Sequence, residues 1–329
     1  MKSPRSPRPR WYLVAALAAL GLAVTACGSS DPGASGKAGS TSINFSLGYG
    51  ADSLFAPMYY AEGKGLYEAE GLQVRIQPSG GTAQVLTRIE AGQAQLGVAD
   101  SSSVIKAIAD QDTPVIIIAV LLDHSPSVTA TQKSSGITDI AGLKGKSLGD
   151  SPAGGMWQRT PALLGANGLT VADIKRVPIN QGVNSALLAG KVDAVNNYAE
   201  TFAGSADKLN LIPWFEQGVD PVGDVLIVNK DWAKKNPDAV RAFVKATMTG
   251  LQKSIADPAT AAEVLAKAAQ STDPGYFSDG IELLEPFWTT SGTTTSERWA
   301  ATQELNVKYL GQTKTLTEDQ IFTAEYLPK

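Results

Sequence analysis

Tyr49, Asp52 and Phe55 lie on and beside one small-residue turn, Gly50-Ala51-Asp52-Ser53, that follows the apolar run Ile43–Tyr49. A carboxylate beside aromatic faces can accept a hydrogen bond from an amine carried on a flat ring. The same residues also suit a purely local role, with Asp52 or Ser53 capping the next helix and Phe55 in the core. Three later turns repeat the pattern of small and polar residues. Ser101 and Ser102 either cap a helix or donate to a solute oxygen, and Asp100 before them adds charge at that helix start. Ser151 to Gly155, including Gly154, offers backbone N–H groups for an anionic or carbonyl oxygen, unless its glycines serve only the turn. Trp157 either stacks on a flat solute or packs as core. Tyr198 and Glu200 follow a further short strand, where Glu200 is either a solute ligand or an acid at a helix start.

No catalytic set accompanies these residues. The chain holds one histidine, His124, and one cysteine, Cys27. A single histidine with no partner at recognisable spacing reads as structural, and no nucleophile, base and acid occur in a hydrolase pattern. A lone cysteine provides neither a disulfide nor a metal cluster. The expectation is a binding protein with no catalytic residue, no metal and no cofactor. The candidate walls contain acids, hydroxyls and aromatics but no arginine. Acids in a cleft repel an anion and suit a neutral or cationic nitrogen heterocycle.

These turns need strands and helices to position them, and hydrophobic periodicity supplies both. Ile43–Tyr49 reads as a strand, followed by a helix through Tyr67 and a strand at Leu72–Gln77. A helix at Ala83–Ala91, stopped by Gly92, precedes a strand at Gln95–Ala99, a helix to Ala109 and a continuous apolar strand at Pro114–Leu122. A second α/β series follows, with strands at Ser127–Gln132, Lys146–Asp150, Lys175–Ile179, Val192–Asn196 and Leu209–Phe215. Strand Asp224–Asn229 returns to the first unit. Helices then start at Asn236-Pro237 and Asp257-Pro258, with others over Asp279–Trp288, Ser296–Leu310 and Glu318–Tyr326. Ala91-Gly92-Gln93-Ala94-Gln95-Leu96-Gly97-Val98 and Ala189-Gly190-Lys191-Val192-Asp193-Ala194-Val195 echo each other as helix end, glycine and short strand. Alternating strands and helices in a chain of 329 residues give an α/β protein with two lobes.

The first 26 residues stand apart. Lys2, Arg5, Arg8 and Arg10 precede an apolar run from Trp11 to Ala26, the form of a signal peptide. Val24-Thr25-Ala26-Cys27 resembles a bacterial lipobox, which implies a lipid on Cys27 and an extracytoplasmic protein held at the outer face of the cell membrane. Gly28 to Thr41 is a Gly/Ser-rich tether. Loss of those four basic residues from a chain with 28 basic and 32 acidic ones takes the net charge from −4 to −8. An acidic domain is a poor partner for nucleic acid, and a monomer is expected.

Several stretches together resemble the solute-binding proteins of ABC importers, in the SsuA/THI5-like (NMT1) group. They are Ala56 to Tyr67 with Glu70-Gly71-Leu72, Ala91-Gly92-Gln93 before Gly97-Val98-Ala99-Asp100, Asp139 to Lys146, Ala189 to Val195, and Asn236-Pro237. The resemblance implies a type II periplasmic-binding fold, two Rossmann-like lobes with a central cleft and two crossing hinge strands. Lobe 1 would comprise residues 43–126 and 228–329, lobe 2 residues 127–227, and residues 27–42 the tether. It further implies a small-molecule solute captured by hinge closure, a cognate ABC permease, and a solute ligand near Glu200 of the kind found in pyrimidine-binding members. A thiamine-precursor aminopyrimidine is the expected solute, with an aliphatic sulfonate or nitrate-type anion as the alternative. Fungal THI5-like members are enzymes that build the pyrimidine from their own histidine with iron and carry a cysteine-rich motif, which this chain lacks.

Overall fold

The computed structural model describes residues 40–151 and 156–328. The leader, Cys27, most of the tether and Gly154 lie outside the described residues. In chain order the elements are β1 (Thr41–Leu47), α1 (Ala56–Gly63), α2 (Leu66–Ala69), β2 (Leu72–Pro78), α3 (Thr82–Glu90), β3 (Leu96–Asp100), α4 (Ser101–Gln111), β4 (Val115–Val120), β5 (Ser127–Gln132) and β6 (Ser147–Asp150). Then come α5 (Met156–Ala166), β7 (Lys175–Pro178), α6 (Val183–Leu188), β8 (Ala194–Tyr198), β9 (Leu209–Pro213) and β10 (Asp224–Asn229). The rest is helical: α7 (Lys230–Lys235), α8 (Pro237–Ala256), α9 (Pro258–Ala269), α10 (Pro274–Leu283), α11 (Ser296–Leu305) and α12 (Glu318–Ile321).

The strands form two five-stranded sheets, in the orders β2-β1-β3-β10-β4 and β7-β6-β8-β5-β9. The two orders are the same once β10 and β5 are matched. In each sheet three parallel strands are followed by one that runs against its neighbours. β10 joins the first sheet after the chain has completed the second, and β5 opens the second after the chain has left the first. The internal echo has its physical basis here: β3 and β8 hold the same place in their sheets, and Gly92 and Gly190, which end the helical turns before them, take φ of 69° and 67°.

The crossing segments are locked together at the backbone. Gly223 N–H donates to Leu122 O at 3.0 Å, and Ser125 N–H donates to Pro221 O at 3.0 Å. Arg298 on α11 grips both segments, through Asp220, the Asp123 carboxylate and the Asp123 carbonyl. His124 belongs to this cluster, with Nδ1 2.8 Å from Asp220 Oδ1 and its ring stacked on Phe215 at 4.3 Å.

Several element ends differ from expectation. β1 begins at Thr41, because residues 41–47 pair continuously with 72–78, and it ends at Leu47, which leaves Tyr49 in the turn. The helix expected through Tyr67 breaks at Gly65, whose φ of 71° is left-handed. Asp257 caps α9 through Thr260 N–H, whereas Asn236 makes no such cap and donates its amide to Trp232 O. α10 starts at Pro274 rather than Asp279 because Asp273 accepts from Tyr276 N–H, a cap followed by a proline that fixes the helix start.

Gly223 is where the crossings are tightest. A Cβ there would lie 2.6 Å from His124 O and 2.6 Å from Leu122 Cβ. Gly223→Ala is therefore expected to destabilise the protein by about 1–3 kcal/mol through forced separation of the crossings. Urea denaturation of the two proteins checks this, and equal midpoints would contradict it.

Candidate functional site

A cavity of about 400 Å³ opens beyond the carboxyl ends of the parallel strands of both sheets. Open α/β sheets bind ligands in this position, and the volume lies within the range of small-molecule sites. The first sheet and its turns supply Tyr49, Asp52, Phe55, Thr82, Asp100 and Asp224 to the lining, and the second supplies Pro126, Asn197, Tyr198, Glu200 and Thr201.

Of the residues singled out in the sequence, Tyr49, Asp52, Phe55, Tyr198 and Glu200 meet at this one cavity. Asp52 caps as well as lines: its Oδ1 accepts from Leu54 N–H at 3.1 Å. Burial raises its pKa, against the pull of the Leu54 and Ser53 N–H groups. Its position is fixed from behind, where Ser53 donates to Phe277 O at 3.1 Å on α10. Glu200 is 6% exposed, and its Oε2 has no hydrogen-bond partner among the described residues. Burial, then the neighbouring charge of Asp52, pushes its pKa well above the ordinary carboxylate range.

The other candidates go elsewhere. Ser101 is fully buried and donates to Val222 O at 2.6 Å, so its hydroxyl ties α4 to the crossing segment and is not offered to a solute. Ser102 is buried with its hydroxyl unpartnered, and it does not line the cavity. The capping role falls to Asp100, which accepts from Ser103 N–H at 2.9 Å. Trp157 has one face covered by the Arg176 guanidinium at 3.8 Å from the ring centroid, and Arg176 is itself fastened to Asp150 at 2.8 and 2.9 Å. That stack holds α5 to the end of β6. Ser151 is half-buried outside the lining.

Two acidic wall residues and an arginine beside them were not anticipated. Asp224 and Asp100 face each other as register partners of β10 and β3, and both line the cavity. Burial, then the charge of Asp100, raises the Asp224 pKa to about 7, with Arg159 opposing the rise. Arg159 is 7% exposed, its Nη2 lies 3.7 Å from Asp100 Oδ2, and its Nε is unpartnered among the described residues. The sequence carried a signal for it. Met156, Arg159, Thr160, Leu163 and Leu164 fall at helical spacing on one face, so the arginine sits among the apolar positions. For Asp224 the signal was an acid opening an otherwise apolar strand.

Two sheets of matching order, joined by two crossings over a ligand-sized cavity, define the type II periplasmic solute-binding fold. The periplasmic aliphatic sulphonate binding protein SsuA of Escherichia coli superposes with a TM-score of 0.67 over 84% of this chain and 91% of that one, at 16% identity. Residues 52–261 match the family model described as NMT1/THI5 like, and the chain belongs to that family. Among relatives, the riboflavin-binding protein RibY of Chloroflexus aurantiacus is 24% identical over 87% of this chain and 86% of its own length. The 4-amino-5-hydroxymethyl-2-methylpyrimidine phosphate synthase of Uromyces fabae is 26% identical over 66% of this chain and 67% of its own length. The family thus contains both binding proteins and enzymes.

Asp224 makes the empty protein sensitive to pH. Its carboxyl keeps a proton up to about pH 7 when folded but releases it near the ordinary value of 3.8 when unfolded. Between those values the folded state holds more protons, so its stability falls as pH rises. Asp224→Asn removes this penalty. It is expected to be more stable than the parent at about pH 8 by on the order of 2–4 kcal/mol, with the difference vanishing toward about pH 4. Urea denaturation at both pH values measures it.

Proposed function

We propose that this protein is the extracytoplasmic solute receptor of an ABC importer and that its solute is a small, flat, amine-bearing nitrogen heterocycle of the aminopyrimidine kind. The observation that carries this reading is Glu200, a buried carboxyl with a free oxygen that lines the cavity beside Asp52. An amine entering between the two carboxyls satisfies that oxygen and offsets their mutual repulsion, while Tyr49, Phe55 and Tyr198 supply ring contacts. The Asp52 turn belongs to the first sheet and Glu200 to the second, so a solute held by both favours the closed arrangement of the lobes. A permease that recognises the closed form completes the cycle. A sulfonate or nitrate would instead enter a cavity lined by four carboxyl groups, which repel an anion.

The enzymatic reading has less support. His124, the sole histidine, is held by Asp220 and Arg298 at the crossings and does not line the cavity. Among the described residues no cluster of histidine, cysteine and acid side chains has the grouping of a metal site. No helix of the described residues is long and apolar enough to cross a membrane, and we assign attachment to a lipid on Cys27.

Glu200→Gln is expected to weaken an aminopyrimidine by about 1.5–3 kcal/mol, read by isothermal titration calorimetry. Unchanged affinity would remove Glu200 from the site, and steady conversion of the ligand by the purified protein would establish the enzymatic reading. Cys27→Ser should move the protein from the membrane fraction to the soluble one. A variant that still sediments with membranes would refute the lipid assignment.

A further inference from the structure

Arg159 sits on α5, and α5 belongs with the second sheet. Ala162, Leu163 and Leu164 share an apolar cluster with Leu148, Ala194 and Ile212, and Thr160 accepts from Asn196 Nδ2 at 3.1 Å on β8. Asp100 is the last residue of β3, in the first sheet. The contact between them, Arg159 Nη2 to Asp100 Oδ2 at 3.7 Å, therefore runs from one sheet's elements to the other's. Among the described residues the remaining ion pairs lie within one sheet and the helices packed on it, or at the crossings.

The two partners are held differently. Asp100 Oδ1 accepts from Ser103 N–H at 2.9 Å and from Ser103 O–H at 2.8 Å, which leaves Oδ2 for the arginine. The Arg159 side chain is 8% exposed, yet its guanidinium makes no hydrogen bond to any described residue, and its Nε is unpartnered. Arg176 shows the alternative, since it is fastened to Asp150 within its own sheet by two bonds. A buried guanidinium without such an anchor carries a cost that a carboxylate from outside offsets. Asp100 provides that carboxylate only while the two sheets are close. Asp279 of α10 also accepts from Gly204 N–H at 3.2 Å, but this bond is exposed and water replaces it readily.

We propose that Arg159 and Asp100 form a latch that favours closure of the lobes before any solute arrives. The latch rests on the hinge closure proposed above and not on the identity of the solute. Closing the empty cleft gathers acids from both sheets, Asp52 and Asp224 from the first and Glu200 from the second, and their repulsion opposes closure. The latch sets one attraction against that repulsion, so the solute has only the remainder to supply.

The test needs no solute. Dyes on Lys191→Cys, between α6 and β8, and on Lys235→Cys, at the end of α7, occupy exposed positions in the full chain carrying Cys27→Ser, and single-molecule energy transfer between them reports lobe separation. Arg159→Met should lower the ratio of closed to open molecules by about fivefold. Asp100→Asn, which can still cap α4, should lower it as well. The double variant should fall no further than Arg159→Met alone, because either change removes the whole contact. Arg159→Lys should keep most of the closed fraction, since a single nitrogen at 3.7 Å acts by its charge and not through a forked pair. Equal transfer distributions in the parent and both single variants would overturn the latch. Effects that add in the double variant, or a lysine variant as open as Arg159→Met, would overturn it too. None of these outcomes bears on the aminopyrimidine reading, which fails separately if such a compound binds neither the parent nor the variants.

Discussion

Strand β10 hydrogen-bonds to both β3 and β4 and runs against them, and this pairing lets the first sheet receive the chain back from the second. Three features of the site follow from its direction. Because β10 is antiparallel, its first residue lies at the carboxyl end of the neighbouring parallel strand, so Asp224 comes to rest opposite Asp100 in the cavity. The segment before it must pass directly over the first crossing, which leaves no room for a side chain at Gly223. Arg298 then has both crossings within reach and holds them through Asp123 and Asp220. Burial alone would raise the Asp220 pKa, but its hydrogen bonds with His124 and Arg298 bring it below the usual carboxylate range. The joint between the lobes is therefore an ionic cluster, while the cavity beside it keeps acids without matching cations.

That contrast is informative because an uncompensated buried carboxylate costs several kcal/mol, and proteins reduce the cost by pairing the charge or by keeping the proton. Arg298 shows that pairing was available to this chain. At Glu200 and Asp224 burial and a neighbouring acid raise the pKa instead. Such groups weaken the empty fold above their raised pKa and gain most from a partner that arrives from outside. Binding sites accept this kind of local cost, which elsewhere in a core would be removed by substitution.

The sequence made the α/β alternation legible because its strands and helices follow simple periods, and β4, apolar at every position, is buried along its length. The cavity's first and last walls were legible too, since Tyr49, Asp52, Phe55, Tyr198 and Glu200 all lie at or after the carboxyl ends of parallel strands. What could not be read locally was side-chain direction. Ser101 sits one residue past Asp100, yet its hydroxyl faces Val222 O while the acid faces the cavity. Trp157 looked like a stacking platform, and it is one, for Arg176. Asp224 required knowledge of which strands pair and in which sense, and Arg159 required the identity of the buried face of α5. Both depend on partners far away in the chain, Asp224 on Asp100 and Arg159 on Asp100.

The fold does not choose the solute. The same architecture, at 16% identity, serves an aliphatic sulphonate binding protein, so recognition must be argued from the walls. A sulfonate needs donors, and the lining offers it four carboxyl groups, with the buried Arg159 3.7 Å from one of them. An amine makes no such demand. On the proposed reading it pairs with Glu200 beside Asp52. On the proposed reading, an amine is the ligand that relieves the electrostatic cost of gathering these four acids in one cavity.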